Sequence, residues 1–468
     1  MNFPGGKLVN AQRTLRSAIH FVSLMAGILL IFFFVQTFGV NVPVNDDWDH
    51  LNTSLAWKAG GIDFHTLLVL HNEHCLAVPR IWNHLLLVST GGDFKAVLLA
   101  NAALAALLLG LVLKFVRDWK LPLPVFLLLI LSLALGISSW CQWQNFLWAF
   151  QAPYFTLPLF LVAAAIVLAR CRSDRLAIPF AMGVVWLAVF TNSNGIFVGW
   201  ALLPSVFAGS RGRAWLTAYA LNLAIATGVA AWLISASTGP ALGGLGGILE
   251  RPLDVFFAGL AVLGSPFVPA LAFLGKNGPL AIAGIFVLAG ACLLAVGFRS
   301  IPTGHRIAEA GPGLALALYG FLSVAAVVYG RSDLLLTAPI ESRYQSFALI
   351  GILGLILTAG AFSTMTLGRA RWVATAVASL AALGLSAGTM LSMPLLLAHG
   401  KNMQTALASH QEILRNAENP EWEPKLAEIL GPRASDREAG IERLKSDLAR
   451  LRDAGLLHPD WQARSPTP

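Results

Sequence analysis

The sequence predicts an all-α polytopic membrane protein, on three observations. Of its 468 residues 56% are hydrophobic and only 12% charged, with a mean hydropathy of +0.69, whereas a soluble domain carries about 25% charged residues. The apolar residues gather into runs that approach the roughly 20 needed to cross a hydrocarbon core, where internally hydrogen-bonded helices are the natural form. The basic residues fall on alternate connections between those runs, which is how cytoplasmic loops are marked.

Eleven runs qualify, at residues 17–38, 96–116, 121–138, 152–169, 176–191, 196–210, 216–236, 279–298, 309–329, 346–366 and 373–397. The fifth and sixth are short because "TNSNG", residues 191–195, interrupts them. Lys7, Arg13 and Arg16 precede the first run; "KFVRDWK", "RCRSDR", "SRGR", the Arg299–Arg306 segment and "GRAR" follow at every second connection. With eleven spans all of these lie on the cytoplasmic side, together with the N-terminus, and the C-terminus lies outside. The scheme requires that residues 256–275 do not cross, in keeping with Gly264, Pro266 and Pro269 at their centre. The first run is longer than a secretory h-region and no small-residue cleavage site follows it, so it reads as a retained anchor.

The formal net charge of +8 would suit nucleic acid if it were clustered, but its placement is the topology signal itself, and no nucleic-acid partner is expected. Four cysteines make no disulfide framework; the topology allows a Cys75–Cys141 bond without favouring it. No internal repeat marks the inverted halves common in transporters. Beyond residue 398 the composition turns charged, and Ile441, Leu444, Leu448 and Leu451 recur at helical spacing. Breaks at "NPEWEP" and "LGPRAS" divide this tail into about three short helices. The expected division is therefore a transmembrane domain over residues 1–397, with a large first extracytoplasmic loop over 39–95, and a small extracytoplasmic helical tail over 398–468.

The unusual residues crowd into that first loop. Asp46, Asp47, Asp49, Asp63 and Glu73 lie there, as do His50, His65, His71, His74 and His84, half of the chain's ten histidines. A charge run alone is a solvated loop; acids and imidazoles mixed with Trp48, Trp82 and "HNEHCLAVPR" read as a folded pocket. A carboxylate there can act as general base for an attacking hydroxyl while a cation holds a leaving phosphate. Adjacent residues diverge, so only one of Asp46 and Asp47 is expected to do chemistry. His71, Glu73 and His74 are candidate substrate-binding groups. They offer metal-ligand types as well, but His71 and His74 stand at i and i+3 rather than in an HExxH pair, so a divalent metal is not favoured. Arg80, after Pro79, suits a phosphate or a lipid headgroup, because guanidinium binds phosphate bidentately.

The second loop, "SSWCQWQNFLWAFQAPY", residues 138–154, mixes Trp140, Trp143, Trp148 and Tyr154 with Gln142, Gln144, Asn145 and Gln151. It is either an aromatic belt or a sugar-binding surface, for which Gln142 is the candidate. "TNSNG" adds amides at the same level, or is a plain helix-breaking turn. In the last loop, "RSDLLLTAPIESRYQSF", residues 331–347, Arg343 and Tyr344 directly precede a span. There an arginine either snorkels as an anchor or holds an anionic group.

This layout resembles the GT-C superfamily of integral membrane glycosyltransferases, which take a sugar from a polyprenyl-phosphate carrier. The matching features are one span, a large loop opening with "NDDWDH", about ten further spans, "SRY" before a late span and an outer tail. The resemblance implies that Asp46 or Asp47 is the catalytic base and that Arg343 with Tyr344 meets the carrier phosphate. It implies an inverting transfer from a polyprenyl-phosphate-linked sugar to a glycan or lipid acceptor, at a plasma membrane of the bacterial inner-membrane type. Some members use a divalent metal; this sequence has no clear second acidic motif. The rival class is a polytopic transporter or lipid flippase, which predicts charged residues inside the spans; the runs here are nearly free of them. A noncatalytic assembly subunit that docks a partner through the loop is the third.

Overall fold

In a computed structural model the described residues are 5–207, 211–236, 245–273, 275–298, 306–337, 340–365, 368–417, 419–422, 424–425 and 437–461. They form a nearly all-α membrane protein in which eight helices are long and apolar enough to cross a bilayer.

The chain enters through α1 (Gly5–Phe38), whose apolar part begins at Ala11. A folded segment follows: α2 (Asp47–Gly60), α3 (Phe64–Leu68), a two-residue hairpin of β1 (Leu70–His71) and β2 (His74–Cys75), and α4 (Ala77–Thr90). Asp63 starts α3 by accepting from the backbone N–H groups of His65 and Thr66, the usual reason for an aspartate at that position. Next come α5 (Phe94–Val116), α6 (Leu123–Ile137), short α7 (Trp143–Leu147) and α8 (Pro153–Arg170). Then follow α9 (Asp174–Val189), α10 (Ile196–Ala201), α11 (Leu203–Phe207) and α12 (Arg213–Ser235).

The later half comprises α13 (Leu245–Glu250), α14 (Pro252–Gly264), α15 (Pro269–Phe273), α16 (Asn277–Phe298), α17 (Arg306–Thr337), α18 (Ser342–Met365), α19 (Gly368–Arg415) and α20 (Arg437–Asp453). α17 and α18 pack most intimately. A Cβ on Gly354 would lie 2.2 Å from the Ala317 nitrogen, and one on Gly320 2.4 Å from the Gly351 Cα, the close backbone approach that small residues permit between helices in lipid.

Among the described residues each run read from the sequence lies largely on helix. Residues 256–275, expected not to cross, begin within an apolar helix, Pro252–Phe267, that is shorter than the eight, and continue into α15. Within Pro252–Phe267, Val255, Ala258, Ala261 and Val262 are buried in the bundle. α19 carries through the division expected at residue 398 and runs 48 residues, about 72 Å, because nothing between Pro394 and Arg415 breaks a helix and Gly400 packs against the Phe38 ring. The "LGPRAS" break and most of the Arg299–Arg306 segment lie outside the described residues.

Contacts sort the connections onto two ends of the bundle. At one end Arg16 donates to the carbonyls of Trp119 and Leu121, and Arg211 pairs with Asp174 at 2.7 Å. At the other, the 39–93 segment meets α20 and the last turn. Trp461 donates to the Asn41 carbonyl and packs on Phe94, and Leu444, Leu448 and Leu451 join Leu51, Leu55 and Leu87 in one apolar core. Gly92, at φ +85°, lets the Leu456 carbonyl lie 2.0 Å from where a Cβ would be. The tail is thus fastened to the segment that carries the acids and histidines.

Candidate functional site

Asn45, at φ +47°, adopts the left-handed conformation that asparagine tolerates and turns the chain into α2. Asp46 and Asp47 follow on the first turn, about 100° apart around the helix, and face different surroundings. Asp47 is 1% exposed. One carboxylate oxygen accepts from the Val44 N–H at 2.9 Å and the other from the Phe150 N–H at 2.7 Å. Burial pushes its pKa well above the usual carboxylate range against the pull of those donors. Asp47 therefore ties the 39–93 segment to the 138–152 loop. The Asp46 side chain is 35% exposed and retains accessible oxygens.

The hairpin brings His71 over α2. Its Nδ1 lies 2.5 Å from Asp49 Oδ2 and its Nε2 3.7 Å from Asp46 Oδ2, and the ring packs on Phe150. Burial opposes charge on this imidazole, but the two carboxylates outweigh it and lift the pKa to about 9. The bond to His71 pulls the Asp49 carboxyl below its ordinary value against partial desolvation. His50, on the same helix, is fully enclosed, and burial, with Arg80 and His71, lowers it to about 3.

Across the site stand two arginines from later helices. Arg331, at the one non-helical residue within α17 (φ −135°), binds Glu73 Oε1 at 2.8 Å. Burial works against the Glu73 charge, and His74 and Arg331 outweigh it to hold the carboxyl low. His74, pushed by burial to about 4, hydrogen-bonds Ser193 Oγ through Nδ1 at 2.7 Å, which joins the hairpin to "TNSNG". Arg343 opens α18: its backbone N–H donates to Gln144 Oε1 at 3.0 Å, while Ser342 Oγ accepts from the Gln144 N–H at 2.9 Å. Its guanidinium lies over the rings of Trp148 and Tyr344, at 5.3 and 5.1 Å, and pairs with Glu341 at 2.5 Å. Asp46 is near enough for its charge to act on Arg343, and both arginines act on His74.

Of the residues singled out in the sequence, Asp46, His71, Glu73, His74, Arg343 and Tyr344 thus share one region. Three others have structural duties. Asp47 is the buried tie just described. Arg80 is buried, donating through Nη1 to the carbonyls of Leu67 at 3.1 Å and Val69 at 2.5 Å, so it shapes the approach to the hairpin. Gln142 is buried and its amide nitrogen donates to the Ile137 carbonyl at 2.9 Å, which ties it to the end of α6. Cys75 and Cys141 are both free thiols, so the allowed disulfide is not formed. Among the described residues no group of three or more His, Cys, Asp or Glu is arranged to hold a metal ion.

The sequence reading missed Arg331, Glu341 and the pairing of Asp49 with His71. Arg331 carried a signal, since it ends an apolar run just as Arg343 begins one. Comparison of the chain with protein-family models, with curated proteins and with solved structures finds no match.

Proposed function

We propose that the protein is a membrane glycosyltransferase of GT-C type, which moves a sugar from a polyprenyl-phosphate donor to an acceptor hydroxyl on the extracytoplasmic side, in modification of a cell-envelope glycan or glycolipid. One observation carries this reading: an accessible carboxylate, Asp46, and Arg343 stand over one aromatic floor, because His71 beside Asp46 packs on Phe150, Phe150 on Trp148, and Trp148 under the Arg343 guanidinium, and Arg343 stands at the head of an apolar helix long enough to span a bilayer. A lipid-borne phosphate entering from the bilayer meets a cation at that depth, with a carboxylate on the same aromatic floor.

The step is a single displacement. Asp46 takes the proton as the acceptor oxygen bonds to the anomeric carbon; the bond from that carbon to the phosphate oxygen breaks, and its electron pair leaves with polyprenyl phosphate. Arg343 holds the departing charge, and the anomeric configuration inverts. Two features of Arg343 suit this duty. Trp148 and Tyr344 fix its plane by cation–π contact, and Glu341 keeps it paired until a phosphate displaces the carboxylate.

The topology belongs to the same proposal: eleven spans, N-terminus cytoplasmic, C-terminus and site extracytoplasmic, in a plasma membrane of the bacterial inner-membrane type. The gathering of Arg16, Arg170 and Arg211 contacts at the end opposite the site agrees with the positive-inside rule. Against a transporter or flippase, the eight long apolar helices carry their Lys, Arg, Asp and Glu near helix ends, or in α19 beyond its apolar stretch.

The test is to incubate the purified protein in nanodiscs with a panel of polyprenyl-phosphate sugars and acceptor glycans and lipids, and to measure release of the lipid phosphate. Acceptor-dependent release from one donor supports the reading. Movement of the lipid between leaflets with no bond cleavage would replace it with flipping.

A further inference from the structure

Asp46 and Asp49 are one helical turn apart, so their carboxylates share a face of α2, and the hairpin lowers His71 between them. The two contacts are unequal. At 2.5 Å, Asp49 is a direct partner of Nδ1. At 3.7 Å, Asp46 is beyond hydrogen-bond range of Nε2, and too close for a water to bridge the two. Nε2 is itself buried with no hydrogen-bond partner. A buried donor without a partner costs about 1–3 kcal/mol, and the nearest carboxylate that can relieve it is that of Asp46.

The hairpin is held firmly enough to aim an imidazole. Arg80 clamps the carbonyls of Leu67 and Val69 that lead into it, Glu73 at its tip binds Arg331, and His74 on its return strand binds Ser193. Phe150 supports the ring from below. The Asp46 side chain, 35% exposed against 12% for His71, is the less confined partner of the two.

We propose that Asp49 and His71 are a positioning pair for Asp46: Asp49 fixes the imidazole through Nδ1, and Nε2–H then holds one Asp46 oxygen so that the other faces the acceptor hydroxyl. The pair touches neither reacting atom, and its role rests on the reading of Asp46 as general base. His71 is surrounded by Asp46, Asp49 and His50 on α2 and by Glu73 and His74 on its own hairpin, while Arg80 on α4 acts on Asp49 and His50. The arrangement works while the imidazole carries both protons, so turnover falls as pH rises through about 9.

Three full-length variants in nanodiscs test this: Asp49→Asn, His71→Gln and His71→Ala. Asp49→Asn should lower kcat roughly 10- to 100-fold, the scale of misplacing a catalytic group, with KM for the donor unchanged because Arg343 still holds the phosphate, and should move the alkaline limb to lower pH. His71→Gln, which keeps an N–H, should retain more turnover than His71→Ala and lose the alkaline limb. Titration of nitrogen-15-labelled histidine by NMR, without substrate, should find His71 protonated at higher pH in the parent protein than in Asp49→Asn. An unchanged His71 titration in Asp49→Asn overturns the pair whatever the activity. A normal titration shift with unchanged kcat and pH profile in both Asp49→Asn and His71→Gln overturns the positioning role alone and leaves the glycosyltransferase reading standing. A parent protein that releases lipid phosphate from no donor overturns that reading, and the positioning role with it.

Discussion

The 39–93 segment and the 138–152 loop are both rich in polar and aromatic residues, yet their polar side chains do opposite things. In the second, Gln142 caps the Ile137 carbonyl, Gln144 docks the head of α18, and Asn145 and Gln151 are buried. In the first, Asp46 and Asp49 stay part-exposed around an imidazole, and Glu73 stays part-exposed beside Arg331. On the proposed function the second loop is the frame and the first is the working surface, and Asp47 joins them through the Phe150 N–H. Polarity alone does not mark a site. What marks it is polar groups that the backbone leaves available, facing opposite charge from another element.

If this division is right, removing a cation that faces the working surface should affect substrate more than fold. Arg343→Ala should weaken donor binding by about 1.5–3 kcal/mol, the value of a charge-assisted hydrogen bond, or roughly 10- to 150-fold in Kd. Calorimetry with a soluble short-chain polyprenyl-phosphate analogue reads it, and unchanged affinity in a folded variant would make Arg343 an ordinary membrane anchor.

An effect of similar size is a pH dependence confined to the first segment. The folded pKa of His71 is raised to about 9 from 6.5, so its contribution to stability is fully present below pH 6.5 and lost as pH rises through about 9. The amount is about 3 kcal/mol. The difference in Tm between the parent protein and His71→Gln should therefore shrink between pH 6.5 and 9.5. A difference independent of pH would mean that His71 is not paired with the two carboxylates.

The frame should respond more mildly, and without a change in chemistry. Gln144→Ala removes the acceptor for the Arg343 N–H and should cost about 0.5–1.5 kcal/mol of stability, visible as a lower Tm in nanodiscs, with turnover per folded molecule lowered less than Arg343→Ala lowers it. A turnover loss as large as that of Arg343→Ala would move Gln144 from the frame to the working surface.

The helical bundle was legible because a run of apolar residues in lipid has few alternatives to a helix. Local signals set some boundaries and not others. Gly264, Pro266 and Pro269 end α14, while Val255 to Val262 bury an apolar face in the bundle. The change of composition near residue 398 does not coincide with a helix end, because a helix continues through polar residues when no breaker intervenes. At the site, the acids and imidazoles of the first loop were visible as a cluster, and the divergence of Asp46 from Asp47 followed from their adjacency. Which of the two is buried was not legible. It depends on the Phe150 N–H, 103 residues away, and nothing local to "NDDWDH" announces that donor. The contacts of Arg80 and Gln142 were not legible for the same reason, since their acceptors are backbone carbonyls that any sequence supplies.

The most direct measurement sets Asp46→Asn beside Asp47→Asn and follows both polyprenyl-phosphate release and folded yield. Asparagine keeps the shape and removes the basicity. At position 46 the account predicts a roughly 100- to 10,000-fold loss of rate, the typical contribution of a general base, with folded yield near that of the parent. At position 47 it predicts a protein destabilised by about 1–3 kcal/mol, because an amide cannot accept at both ends, with far more of the turnover per folded molecule retained. Near-normal turnover in Asp46→Asn, or a greater loss per folded molecule in Asp47→Asn, would contradict it.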